Sequence, residues 1–389
     1  MQVQHTECCT LVVMHSPIPL SSPDVGLAES TAVAAAIASG WVAPVGPDLD
    51  AFECEAAARM GRRHGIGLAS GTAALHLALL AADVGPGDVV PTSTMTFAAT
   101  ANAIRYTGAH PFFIDSVECD GNIDVELLAA AIGRIRASGR RIGAVLPVDL
   151  LGHAVDYPAL EEICRVEGIP LIADAAESFG TLHAGRAAAS FGSASCVSFN
   201  GNKIMTTSGG GMVFTDDDET AARIRYLATQ ARQPVPHYEH VDIGYNYRLS
   251  NVLAALGRAQ LGRLDEMIAR RRSFRSAYRA LFEQVDGVRV LGRGGDDHLE
   301  NCWLTAVVVD PETTGWTKDD LAAALAGEGI ETRPLWKPMH LQPVHVGAEA
   351  VLTGVAERLF QHGLALPSGS AMSDDDFTRV CETIRRFLP

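Results

Sequence analysis

"EEICRVEGIPLIADAAES", residues 161–178, reads as a helix that breaks at a glycine, turns into a short apolar strand and stops on an aspartate. A run as brief as "IPLIAD" is too short for a core helix and suits a buried strand. The same alternation extends in both directions. Upstream, "HGIGLAS" (64–70) precedes the helical "TAALHLALLAADVG", and "GDVVPTST" (87–94) leads into "FAATANAIRYTG" and then "HPFFIDS". "RIGAVLPVDLLG" (141–152) is a further buried strand, and downstream "ASCVSFN" and "GGMVFTD" flank Lys203. Apolar strands separated by helices predict a mostly parallel sheet with helices on both faces, an α/β/α arrangement.

Near residue 219 the pattern changes. "ETAARIRYLATQAR" is helical, and the helical stretch beginning "SNVLAALGRAQLGRL" exceeds thirty residues, long enough to link two domains. "CWLTAVVVD", "TKDDLAAALAGEGI" and a terminal helix in "SDDDFTRVCETIRRFL" follow. The expected organisation is an N-terminal extension over 1–17, a large domain over 18–264 and a small C-terminal α+β domain over 265–389.

A net charge of -15 disfavours a nucleic-acid backbone as partner. Eight cysteines without a C-x-x-C pair point to a reduced, cytoplasmic chain with neither disulfide framework nor zinc site. His237 and His240 lack the further ligands a metal needs. The first twenty residues lack the basic region and cleavage site of a signal peptide, and no uncharged apolar run reaches membrane-spanning length.

In open α/β sheets reactive groups gather where strands end and helices begin. In "ASGTAAL", Gly71 permits a tight turn and Thr72 opens a helix whose free N–H groups suit a phosphate; an N-cap alone also explains the motif. Asp174 ends its strand as a carboxylate that is costly to bury without a cation. The small residues after it leave room for a flat ligand, with Glu177 within reach of its edge. Lys203 sits between apolar runs with glycines behind it, and desolvation favours the neutral, nucleophilic amine of a lysine. A phosphate cradle, a strand-end acid and a desolvated lysine together suggest pyridoxal 5'-phosphate. Phe97 is placed to stack on its ring.

"SGTAALHLAL", "TSTMTFAATANAI", "DAAESFG", "SFNGNKIMTTSGGG" and "GYNYRLSNVLAALGRAQL" resemble, in order, the motifs of the DegT/StrS nucleotide-sugar aminotransferases, fold-type I enzymes that use pyridoxal phosphate. The resemblance runs from about residue 18 to 389. It implies that Lys203 is the Schiff-base lysine and that Asp174 contacts the pyridine nitrogen. Glu177 then approaches the phenolic oxygen, where many relatives carry glutamine. Phe97 stacks on the ring, and Gly71, Thr72 and Ser198 surround the phosphate. Asn246 corresponds to a residue that a neighbouring subunit contributes, so the resemblance also implies an isologous homodimer with shared sites.

"GWVAPVGPDLDAFE", "RPLWKPMHLQPV" and "LALPSGS" resemble the branch that aminates C4 of nucleoside-diphosphate 4-keto-6-deoxy sugars, with L-glutamate as donor. Arg248, Lys337 and His340 are candidates for the sugar diphosphate and Trp336 for the sugar or base; a structural place fits each equally. Amination at C3 stays open. A sugar dehydratase of this fold would replace Lys203 with histidine. A non-catalytic regulator would bind cofactor without transfer, and a nicotinamide dehydrogenase would need a G-x-G-x-x-G that "GLASGTAAL" lacks.

Overall fold

A computed structural model describes residues 16–295 and 299–388, so residues 1–15 of the expected extension lie outside the described residues. The first half of the chain supplies α1 (Leu27–Ser39), α2 (Pro47–Met60), β1 (His64–Leu68), α3 (Gly71–Ala81), β2 (Val89–Ser93), α4 (Ala98–Tyr106), β3 (His110–Ile114), α5 (Val125–Ala137), α6 (Tyr157–Glu167), β4 (Ile172–Asp174), the small hairpin β5 (Leu182–His183) and β6 (Arg186–Ala187), and β7 (Ala194–Ser198). The second half supplies β8 (Gly211–Thr215), α7 (Asp218–Ala228), α8 (Asn251–Phe282), β9 (Val288–Val290), β10 (Thr305–Val309), α9 (Pro311–Thr314), α10 (Lys318–Gly327), β11 (Arg333–Pro334), β12 (Ala350–Val351), α11 (Val355–His362), β13 (Gly363–Leu366) and α12 (Asp374–Phe387).

The central strands run in the orders β1-β8-β7-β4 and β12-β3-β2. The extended segment 142–148 joins them through parallel bridges to β2 (Val89 with Ile142, Thr92 with Leu146) and to the β4 run (Val145 with Leu171, Val148 with Asp174). The buried "strand" expected at 141–152 is thus an extended segment that ends in a turn at Leu150–Gly152. β8 alone reverses, lying antiparallel to both β1 and β7. The reason is local. A loop of twelve residues carrying Lys203 joins β7 to β8 without a crossover helix, and strands joined that way pair antiparallel.

Successive residues of each strand enter opposite cores. Val213 of β8 packs with Ile66, Leu77 and Ile224 beneath α3 and α7. Its neighbours Met212 and Phe214 pack with Phe52 and Leu264 under α2 and α8. A third core, around Phe112, Leu128 and Leu160, lies under α5 and α6. Both faces of the sheet are therefore covered, as the apolar strands require.

β11-β13-β10-β9 form a separate antiparallel sheet backed by α10, α12 and the end of α8. The 32-residue α8 serves both halves: Ala254 and Ile268 enter the large-sheet core, Phe274, Tyr278 and Phe282 the small one. The division expected at 264/265 falls inside this continuous helix. Two other segments cross it. Ile18 bridges Ile330 and packs in the small core, and β12 pairs with β3 of the large sheet. Among the described residues, no helix is long and apolar enough to cross a membrane.

Candidate active site

A cavity of about 350 Å³ opens where β4 and β7 end and α3 begins, lined among others by Gly71, Thr72, Phe97, Asp174, Glu177 and Lys203. Ser70 caps α3, its hydroxyl accepting from the Ala73 N–H at 3.0 Å. That leaves the N–H groups of the first turn without partners inside the helix, an electropositive end facing the cavity. Backbone crowds in around it. A Cβ on Gly71 would stand 2.9 Å from that of Ser198, and one on Gly211 would stand 2.6 Å from the Gly71 nitrogen. Glycine is required at both positions by space, and the result is a cradle of backbone donors suited to a phosphate.

Asp174 sits at the floor, 3% exposed. Its carboxylate accepts from the Thr100 hydroxyl at 2.7 Å and the Ala176 N–H at 3.2 Å, both uncharged donors. Burial pushes its carboxyl above the ordinary range, with Thr100, Ala176 and the charge of Lys203 pulling the other way. Glu177, equally buried, accepts the Leu151 N–H at 2.7 Å on one oxygen and lies 3.5 Å from the Lys203 amine on the other. Burial raises its carboxyl as well, opposed first by Lys203. Leu151 presents that N–H from a left-handed backbone (φ 56°), a conformation that costs a leucine energy and is retained at the cavity wall.

Behind Asp174 lies a second buried carboxylate, Asp149. It accepts from the Val155 N–H at 2.9 Å and from the hydroxyls of Tyr157 and Ser178 at 2.8 and 2.5 Å, and burial pushes it up to about 7. Lys203 projects from its loop against the indole face of Trp303, the amine 4.0 Å from the ring centroid. Phe97, at the N-cap of α4, is 60% exposed at the cavity mouth with Trp336 edge-on at 6.2 Å.

The donor set fits pyridoxal 5'-phosphate. A ring-nitrogen proton would supply the charged partner that Asp174 lacks, the α3 cradle suits the phosphate, and Lys203 lines the same cavity with the primary amine a Schiff base needs. Among the described residues no cluster of His, Cys, Asp and Glu has the grouping of a metal site.

The expected substrate contacts divide. Trp336 and Lys337 line an adjoining cavity of about 580 Å³ that shares Phe97, Asn202 and Trp336 with the first. Neither Arg248 nor His340 lines these two cavities, and each has partners elsewhere in this chain. Arg248 donates to the buried Glu53 at 2.6 Å and to the Gly67 carbonyl at 3.1 Å. Both ring nitrogens of His340 are engaged, by Thr94 at 2.7 Å and Glu357 at 3.1 Å. Asn246 is exposed and lies outside the cavity of its own chain.

Three contributors escaped the sequence reading: Thr100 on Asp174, Leu151 on Glu177 and Trp303 on Lys203. Thr100 stands 74 positions from its partner, and "NCWL" carries no motif of its own. The one available signal was Thr100 in the α4 stretch already assigned to the site.

A model of the DegT/DnrJ/EryC1/StrS aminotransferase family matches residues 23–385. EpsN of Bacillus subtilis, provisionally named a pyridoxal phosphate-dependent aminotransferase, is 41% identical over 375 residues, 95% of this chain and 96% of that protein. GDP-perosamine synthase of Caulobacter vibrioides is 33% identical over 377 residues, 95% of this chain and 98% of that one. Among solved structures, DesI in the presence of its TDP-sugar product superposes with a TM-score of 0.85 at 33% identity, covering 95% of this chain and 92% of that one.

Proposed function

Since the chain belongs to the DegT/DnrJ/EryC1/StrS aminotransferase family, we propose that it moves an amino group from L-glutamate to C4 of a nucleoside-diphosphate 4-keto-6-deoxy sugar. Membership makes it a pyridoxal phosphate-dependent aminotransferase of nucleotide sugars. The observation that carries the reading is Lys203 and Asp174 facing one cavity whose far wall is the N-terminus of α3.

When bound, the cofactor supplies an aldehyde that takes up the donor's amine and a ring that accepts electrons. The protein's part is to hold and to move protons. The N–H groups of Gly71 and Thr72, with Ser198 beside them, anchor the phosphate. Asp174 keeps a proton on the ring nitrogen, and Thr100 fixes the carboxylate that does so. Glu177 holds the opposite edge, and Phe97 covers one face and excludes water. Lys203, once its amine is free, would be the group that accepts a proton from the α-carbon of the donor and holds it for return. General acid–base transfer of this kind contributes about 10²–10⁴-fold. The same amine would work in reverse on the sugar: one water is consumed as glutamate departs as its keto acid and one is released from the sugar's carbonyl, so the exchange balances.

The sugar nucleotide enters through the adjoining cavity, where Trp336 offers an apolar face and Lys337 a cation in a chain that is negative overall. The site is completed in an isologous dimer by Asn246 from the neighbouring copy. Tyr238, Val241 and Ile243 on the same segment are 80%, 71% and 86% exposed, an apolar surface that supports a partner there. The test is to incubate the loaded enzyme with L-glutamate and a panel of dTDP- and UDP-linked 3- and 4-keto sugars. We expect one 4-amino sugar per keto acid released; amination at C3 redirects the regiochemistry, and no product from any member sinks the reading.

A further inference from the structure

The small domain reaches into the Lys203 cavity with two tryptophans, Trp336 at the mouth and the buried Trp303 against the lysine. Trp303 is 1% exposed, yet its ring forms part of the cavity wall. Its indole N–H donates to the Asn202 carbonyl at 2.7 Å, the peptide that precedes Lys203. Its backbone N–H donates to the Asn301 side chain at 2.9 Å, and its carbonyl accepts from the fully buried Arg271 at 2.6 Å. Arg271 also donates to the Ser21 hydroxyl at 3.2 Å, which in turn donates to the same Asn202 carbonyl at 2.9 Å. Asn301 ties the segment to the Glu177 carbonyl at 2.8 Å.

The backbone is strained to achieve this: Cys302, immediately before the tryptophan, has φ 52°. A non-glycine residue is held in that region only where the surroundings over-determine it. What the strain secures is the orientation of one ring. The Lys203 amine lies 4.0 Å from its centroid and 3.5 Å from Glu177, so an ammonium there meets a π face on one side and a carboxylate on the other.

Resting on the aminotransferase reading, we propose that the Trp303 indole face is the seat that Lys203 occupies whenever its amine is free, a positioning residue for the proton transfer. A lysine has four rotatable bonds, and once released from the cofactor it would otherwise sample many directions. The seat confines it to the cavity that Asp174 and Glu177 also line. It also favours the ammonium formed when the amine takes a proton from the donor, a charge that a desolvated ring face stabilises well. The proton then passes on and the amine returns neutral, so nothing is consumed.

The chain contains three lysines, Lys203, Lys318 and Lys337, which makes the seat directly visible. Full-length protein with ¹³C-labelled lysine is loaded with pyridoxamine 5'-phosphate, which leaves the amine free, and Lys203→Arg assigns its ε-carbon signal. We expect that signal to be displaced upfield of the other two by the indole ring current. Trp303→Leu abolishes the displacement and Trp303→Phe retains part of it, while unchanged Lys318 and Lys337 signals report an intact fold. In parallel, the half-reaction with L-glutamate slows about tenfold in Trp303→Leu with KM unchanged, and Trp303→Phe recovers to within about threefold of the parent. A Lys203 signal that coincides with the other two in the parent protein, or equal slowing in both variants, overturns the seat. The spectrum needs no turnover, so its failure leaves amino transfer standing, whereas a parent enzyme that transfers no amine while showing the displaced signal supports the seat and removes the function.

Discussion

Two carboxylates lie almost equally deep in the large domain and live under different terms. Glu53, on α2, is 6% exposed and receives Arg248 at 2.6 Å, Arg225 at 2.8 Å and the Gly67 N–H at 2.7 Å. Asp174, 3% exposed, receives a hydroxyl and an amide. Around Glu53 the chain supplies its own cations and the group is finished. At Asp174 the countercharge is left for a ligand to bring. Asp149, buried behind it, also has only neutral donors and does not line the cavity, so what sets Asp174 apart is neutral partners together with an open face toward a cavity.

Asp174→Asn attacks that contrast at its functional end. The amide keeps the shape and cannot hold the ring-nitrogen proton, so amino transfer falls about 10²–10⁴-fold; steady-state rates at saturating substrates measure it, and activity within a few-fold of the parent would erase the distinction. Glu53→Gln attacks the other end. It leaves the largely buried Arg248 without its countercharge and costs about 3–5 kcal/mol in denaturant unfolding. A loss below about 1 kcal/mol would show that this pair is not the closed arrangement described.

The smallest effect is the most discriminating. Burial raises the Asp174 carboxyl, so in the cofactor-free protein folding favours its protonated form. Stability from this group is full below the ordinary carboxylate range and is lost as pH rises through the raised value. Asp174→Asn removes that loss. The cofactor-free variant should be more stable than the parent at neutral pH. The gain should vanish near pH 3 and disappear again when the parent is loaded with cofactor. Thermal melts across pH decide it, and a variant less stable than the parent at neutral pH would mean that Asp174 is already compensated.

The alternation of apolar strands and helices was enough to read the covered sheet, because buried strands on both faces leave a continuous apolar signature in sequence. Gly71, Thr72 and Asp174 were legible for a related reason: they sit at a helix start or strand end, where local sequence dictates local geometry. Glu177 and Lys203 follow in the turn after β4 and the loop after β7, and all five line one cavity. Contacts that depend on which distant elements meet were not legible. β12 joining β3, Ile18 entering the small core and Trp303 closing over Lys203 are all set by packing between segments far apart in the chain. Arg248 and His340 illustrate the same limit from the other side. Their chemistry suits a diphosphate, and only the fold reveals that within this chain Glu53, Thr94 and Glu357 engage them.

Everything in the account depends on Lys203 being the residue that bonds the cofactor. Full-length protein is mixed with pyridoxal 5'-phosphate, reduced with borohydride, digested and mapped by mass spectrometry. The account predicts one phosphopyridoxyl group per chain, on Lys203, with Lys318 and Lys337 unmodified. Stoichiometric label on either of those two, or a reduced protein carrying none, would contradict it.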